Sequence, residues 1–134
     1  MSSFSFSLVL ESANLGVTGL ACLEEMLSSI ENQSYSILNA KEVLLMNSGK
    51  VPEDILKKTL KKFPWIQNIS MPMETGYEEL KMAGARLCTS EIVVFADADC
   101  RYNPFWLKNL LLPFENPNVH VVGGYTAIDR RTLW

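Results

Sequence analysis

Short apolar, β-branched runs alternate along the chain with stretches whose apolar residues recur at helical spacing, and this alternation limits the fold more than any other feature. Phe6–Leu10 is closed by polar Glu11-Ser12-Ala13-Asn14, and Glu42–Met46 ends in Asn47-Ser48-Gly49. Trp65–Ser70 follows, then Ile92–Phe95 ending at Asp97-Ala98-Asp99, and last Val119–Val122. Runs this short and this apolar read as strands buried on both faces. Between them, Leu20, Leu23, Met26, Leu27 and Ile30 mark a first helix that Thr18 can cap, behind a loop carrying Gly16 and Gly19. Pro52-Glu53-Asp54 opens a second helix running to about Phe63, in the way prolines and acids favour. Thr75 can cap a third, with Tyr77, Leu80, Ala83 and Leu87 toward the sheet, and Pro104 starts a fourth through Trp106, Leu107, Leu110 and Leu111. The pattern predicts an α/β fold with a doubly wound, mostly parallel sheet in three layers, α/β/α. Ligands bind such a sheet beyond the carboxyl ends of its strands, where each of these polar clusters stands.

A chain of 134 residues without internal repeat, low-complexity tract or linker reads as a single domain, 1–134. Its net charge of −3 supplies no field that would attract nucleic acid. Cys22, Cys88 and Cys100 are odd in number and far apart, which fits neither a disulfide framework nor a zinc site of paired cysteines. They read as reduced thiols, and the expectation is a cytoplasmic chain. No basic residue precedes Lys41, so Phe4–Leu10 does not read as the core of a secretory leader. The longest apolar runs, Val43–Met46 and Ile92–Ala96, fall well short of the ~18–20 residues of a membrane-spanning helix. Peripheral membrane contact stays open: Lys57, Lys58, Lys61 and Lys62 share one side of the second helix, as a solvated face or a patch for anionic lipid.

Asp97-Ala98-Asp99 is the sharpest local signal, because two carboxylates directly after an apolar strand stand at the sheet's binding edge. Alternate residues of an extended segment point the same way, so both acids can converge on one hard cation that also takes diphosphate oxygens. The plainer reading is an Asx-type turn or a cap for the next helix. Cys100 adjoins the pair without the histidine that a thiol nucleophile needs. His120 has no partner at metal spacing and reads as a strand-end residue, while Phe63, Trp65 and Trp106 read as core or rim aromatics.

Four segments in order resemble family 2 glycosyltransferases of the GT-A fold. Leu8-Val9-Leu10-Glu11-Ser12-Ala13-Asn14 is similar to the opening strand and its Pro-x-Tyr-Asn-like loop, and Glu42–Gly49 to the second strand with its Asp-Asp-Gly-Ser ending. Gly76–Ala85 is similar to the helix Gly-x-x-x-Ala-Arg-Asn-x-Gly, and Glu91–Asp99, with Pro104, Trp106 and Leu107 beyond, to the acidic Asp-x-Asp (DXD) motif. The resemblance implies the donor-binding part of a metal-dependent enzyme that takes a UDP- or GDP-sugar and transfers the sugar with inversion. It implies that Asp99 is the chief ligand of Mg²⁺ or Mn²⁺, that Asp97 contacts the metal or the donor ribose, and that the first two loops hold the base. Glu11, Asn14 and Asn47 in those loops are donor-binding candidates, Glu11 either as a carboxylate from the adjacent strand end or as a residue that solvates the loop. The family's base-binding acid corresponds to Asn47 and its neighbour to Ser48; Glu11 stands where Pro is usual, and Lys81, a candidate for the diphosphate, where Arg is usual. An Asn amide both donates and accepts, so pyrimidine binding stays open.

The family's general base comes from a segment well downstream of the metal motif, and Ala127-Ile128-Asp129-Arg130 does not look like it. The expectation is therefore that the catalytic base and the part that selects a saccharide or lipid-linked acceptor lie outside the chain. Two rivals stand beside an active transferase. One is a catalytically incomplete donor-binding or scaffold domain, to which Asn47 lends weight. The other is a receiver-like regulatory module, which would need acids after the first and third strands where the chain has Glu11 alone and Ser70-Met71-Pro72.

Overall fold

The computed structural model describes residues 4–15 and 20–128 of the chain. Its strands are β1 (Phe6–Glu11), β2 (Val43–Asn47), β3 (Gln67–Ser70) and β4 (Ile92–Ala96), and its helices α1 (Ala21–Glu31), α2 (Glu53–Lys62), α3 (Tyr77–Leu87) and α4 (Trp106–Leu111). Every strand pairing is parallel, and the order is β3-β2-β1-β4. The chain steps outward from β1 to β3 and then returns to the other side of β1. The winding thus reverses between β1 and β4, and a crevice opens beyond their carboxyl ends.

Each of the six residues of β1 is buried, as a central strand covered on both faces requires. Phe6, Leu8 and Leu10 join Val43, Leu45, Val94 and Ala96 in the larger core, closed by Leu23, Met26, Leu27 and Ile30 of α1 and Leu107 and Leu111 of α4. Ile55, Leu56 and Leu60 of α2 pack on the same core. Val9, Leu44 and Met46 face the other way, against Leu80 of α3. These two cores on opposite faces make the three layers. The α3 helix comes unusually close at Gly84, where an added Cβ would lie 2.5 Å from Val9 Cγ1.

Four features differ from the sequence reading. Val119–Val122 forms no strand: Val119 N donates to Asn116 O (3.0 Å) in a turn, and Val121 is 86% exposed. Branched side chains alone do not make a strand; it needs a neighbouring backbone to pair with, and β4 pairs only with β1 among the described residues. Edge strand β3 starts at Gln67, since Trp65 turns aside to stack edge-on with Phe63 and donate to Glu31 Oε1 (3.2 Å). Gly76 is the N-cap of α3, while Thr75 Oγ1 donates to Pro72 O (2.7 Å), and the inward stripe runs through Leu80 and Gly84, leaving Leu87 exposed. Thr18, Gly16, Gly19 and Asp129 lie outside the described residues.

Candidate functional site

Glu11 ends β1, and Leu10 pairs with Ala96, so Glu11 and Asp97 occupy neighbouring positions across the crevice. The Glu11 side chain is fully buried. Its Oε2 accepts from Ala13 N (2.7 Å), while Oε1 is buried without a hydrogen-bond partner among the described residues. Burial pushes this carboxyl above its ordinary 4.5; the Ala13 amide and Lys81 oppose the shift and the charge of Asp97 adds to it.

Asp97 is held from three sides. Tyr77 Oη and Lys81 Nζ, one turn apart on α3, each donate to Asp97 Oδ1 at 2.6 Å, and Lys81 also donates to the Tyr77 hydroxyl. Tyr102 Oη donates to the Asp97 carbonyl (2.9 Å). Burial raises the Asp97 carboxyl, but the Lys81 and Tyr77 bonds outweigh it and leave the group below its ordinary 3.8. Burial likewise lowers Lys81, and its bonds to Asp97 and Tyr77 carry it above 10.5 instead. The Lys81 ammonium rests over the Tyr77 ring, 4.1 Å from its centre, and within 5.9 Å of the Phe95 ring. As resolved, Lys81 is committed to Asp97.

Beyond Asp97 the chain turns, with Cys100 N donating to Asp97 O (3.4 Å), and buried Ala98 points inward. The acidic motif is therefore a turn and not the extended segment that strict alternation implies. It nevertheless gathers its ligands: one atom each of Asp97, Asp99 and Cys100 lie within 4.8 Å of one another. Asp99 is exposed, and Cys100 Sγ donates to Asp99 Oδ1 (3.7 Å). Burial, with the charges of Asp99 and Asp97, pushes the Cys100 thiol up. Two carboxylates beside a turn fit a divalent cation, and both side-chain bonds to Asp97 end on Oδ1.

Asn47 Oδ1 accepts from Gly49 N (3.0 Å), in a turn where Gly49 takes φ 85°. That places the side-chain oxygen in a turn and leaves the Nδ2 amide without a hydrogen bond among the described residues. Ser12 Oγ accepts from Ser48 N (3.0 Å) and lies 3.5 Å from Ser48 Oγ, tying the first two loops together. Asn14 is half-buried beside Glu11, to whose carboxylate its backbone also donates. Glu11, Asp97, Asp99 and Lys81 thus gather at the crevice, and Asn47 ends the next strand. Tyr77 and Tyr102 were not expected there; the only signal for Tyr77 was its position one helical turn before Lys81. Lys57 pairs with Glu53 (3.4 Å) and Lys62 with Glu24 on the exposed face of α2. His120 is exposed and outside any strand.

The family model for glycosyl transferase family 2 matches residues 19–133. The chain belongs to that family. Among curated relatives, N-acetylgalactosaminyltransferase 6 of Drosophila melanogaster is 29% identical over 99 residues, 66% of this chain and 15% of the relative. Polypeptide N-acetylgalactosaminyltransferase 3 of Taeniopygia guttata is 30% identical over 97 residues, 69% of this chain and 16% of the relative. The family 2 chain thus spans only about a sixth of these relatives. TarS of S. aureus, residues 1–349, shares the fold with TM-score 0.64 at 16% identity, over 83% of this chain and 33% of that one. Another TarS structure, with TM-score 0.63, is of a complex with UDP. The sheet order, the layers and this likeness place the family 2 chain in the GT-A fold. No helix among its described residues is long and apolar enough to cross a membrane.

Proposed function

We propose that residues 1–134 form a single nucleotide-sugar-binding domain, the donor half of an inverting, metal-dependent glycosyltransferase. The observation that carries this reading is the convergence of Asp97 and Asp99 at the crevice between β1 and β4, beside Glu11 and one strand from Asn47. Asp99, with Asp97, would hold Mg²⁺ or Mn²⁺, which when bound neutralises charge on a departing nucleotide diphosphate. The protein's own part is positional. Tyr102 and the Cys100 amide fix the Asp97 backbone, Tyr77 and Lys81 fix its carboxylate, and the Ser12–Ser48 tie sets the two loops that receive the base. With Asn14, these groups would bind a UDP- or GDP-sugar. Lys81 exchanges its Asp97 contact for the diphosphate.

The general base and the site for a saccharide or lipid-linked acceptor belong, in this reading, to segments outside residues 1–134. We place the protein in the cytoplasm, because its cysteines, three in number and far apart in the sequence, suit no disulfide framework, with peripheral membrane contact through the exposed lysines of α2; fractionation of cells expressing the full-length protein tests both. Calorimetry with Mn²⁺ and a panel of nucleotide diphosphates tests the donor site. Asp99→Ala should abolish metal-dependent binding with the fold intact, because an exposed carboxylate is removed. UDP binding by that variant as tight as the parent's would show that Asp99 is no ligand. Product formation with an acceptor panel separates an active transferase from an incomplete donor-binding domain.

A further inference from the structure

The Cys100 side chain has no role in the donor reading, yet its thiol stands in the same turn as the two acids. Its Sγ lies 3.7 Å from Asp99 Oδ1, and the ligand atoms of Asp97, Asp99 and Cys100 lie within 4.8 Å of one another. Three ligands each about 2.0–2.3 Å from a common ion stand roughly 3.5–4 Å apart, a spacing the Cys100–Asp99 pair already has, and side-chain rotation within the turn would bring Asp97 to it. The second observation is one of charge. Three carboxylates stand in this part of the sheet, Asp97 and Asp99 in the turn and Glu11 across from Asp97 at the end of β1, with Glu11 Oε1 buried without a hydrogen-bond partner among the described residues. Among the described residues Lys81 is the one cation paired with these acids, and Arg101, the next cation along the chain, is paired with Glu25 (2.7 Å). The edge is short of positive charge where the three ligands converge.

We propose that Cys100 is a protein ligand of the cation held by Asp97 and Asp99, giving a donor set of two oxygens and one sulfur that prefers Co²⁺ or Zn²⁺ to Mg²⁺. This rests on the cation site proposed above and adds its selectivity. Carboxylates alone suit hard ions, whereas a thiolate draws borderline ones. On binding, the S–H proton passes to solvent and the sulfur lone pair goes to the ion; nothing is oxidised or reduced.

The test is a Co²⁺ titration of the 134-residue chain, with Cys22→Ser and Cys88→Ser to silence the other thiols, followed by the thiolate-to-cobalt charge-transfer band and by calorimetry in parallel. The band should saturate together with the heat. Adding Cys100→Ser should remove the band and weaken Co²⁺ by at least the ~10–100-fold that loss of an outer-shell partner alone costs, with Mg²⁺ affinity little changed. Circular dichroism of each variant confirms its fold, and the parent's own spectrum needs no variant at all. Co²⁺ bound by calorimetry without the band, or with a band that survives Cys100→Ser, overturns the sulfur ligand and leaves the two-carboxylate site standing. No heat and no band with Co²⁺, Mn²⁺ or Mg²⁺, alone or with UDP, overturns both.

Discussion

Gly84→Ala places a methyl group where α3 rests on the sheet. The new Cβ would meet Val9 Cγ1 at 2.5 Å, Met46 Cγ at 3.1 Å and Val9 Cγ2 at 3.2 Å. Carbon atoms pack best at about 3.5–4.0 Å, so the helix must retreat by roughly 1 Å or Val9 must leave its rotamer. Val9 and Met46 are fully buried, and a β-branched side chain in a strand has little rotameric freedom. Overpacking of this kind costs about 1–3 kcal/mol. Alanine is the better helix former by about 1 kcal/mol, which opposes that cost. Val9's stiffness favours the upper end of the range, leaving a net loss of roughly 1–2 kcal/mol and a fall in melting temperature of about 3–8 °C. The assay is thermal and urea unfolding of the parent, Gly84→Ala, Val9→Ala and the double variant. In the Val9→Ala background, where the clashing γ-carbons are gone, Gly84→Ala should be neutral or stabilising, a coupling of ~1–3 kcal/mol. A single Gly84→Ala variant that melts higher than the parent would refute the close-contact reasoning, because helix propensity alone would then be acting.

Two further expectations concern the crevice. Asn47→Asp keeps an oxygen for the Gly49 amide, so the turn should survive while preference moves by about tenfold toward bases that present a ring N–H, such as uracil over cytosine, a difference of ~1.4 kcal/mol; a nucleotide-diphosphate panel by calorimetry reads it, and lost stability with unchanged preference would make Asn47 a turn residue only. Glu11 carries a carboxyl raised above 4.5 by burial. The folded state therefore holds its proton more tightly than the unfolded one, and the associated stability, complete below 4.5, is lost as pH rises through the raised value. Glu11→Gln should flatten that part of the stability profile in urea titrations, and parallel parent and variant profiles would contradict the assignment.

The sheet was legible because a strand covered on both faces must be apolar along its whole length, as Phe6–Leu10 and Val43–Met46 are. Asp97 and Asp99 were legible for a related reason: charged residues directly after such a strand have nowhere to go but the binding edge. Val119–Val122 has the composition of a strand, but composition says nothing about whether a neighbour is present to pair with it. Thr75 has the chemistry of a cap, yet the chain bends back at Pro72 and takes its hydroxyl first. The grip of Tyr77 and Lys81 on Asp97 was hidden because it depends on how closely α3 approaches the sheet. That distance is set by Gly84 against Val9, two residues with no local signal linking them.

The unpaired side of β4 has a practical consequence. Among the described residues this strand meets β1 along one edge only, and the side chain of Phe95, on the face α3 shares, is 42% exposed. An outer strand whose far edge meets no other strand among the described residues, and which carries an exposed aromatic ring, is a template for addition of further strands. In a concentrated preparation of these residues alone, that edge is where self-association would begin, and a lysine or proline introduced along β4 is the change that would keep such a preparation monodisperse.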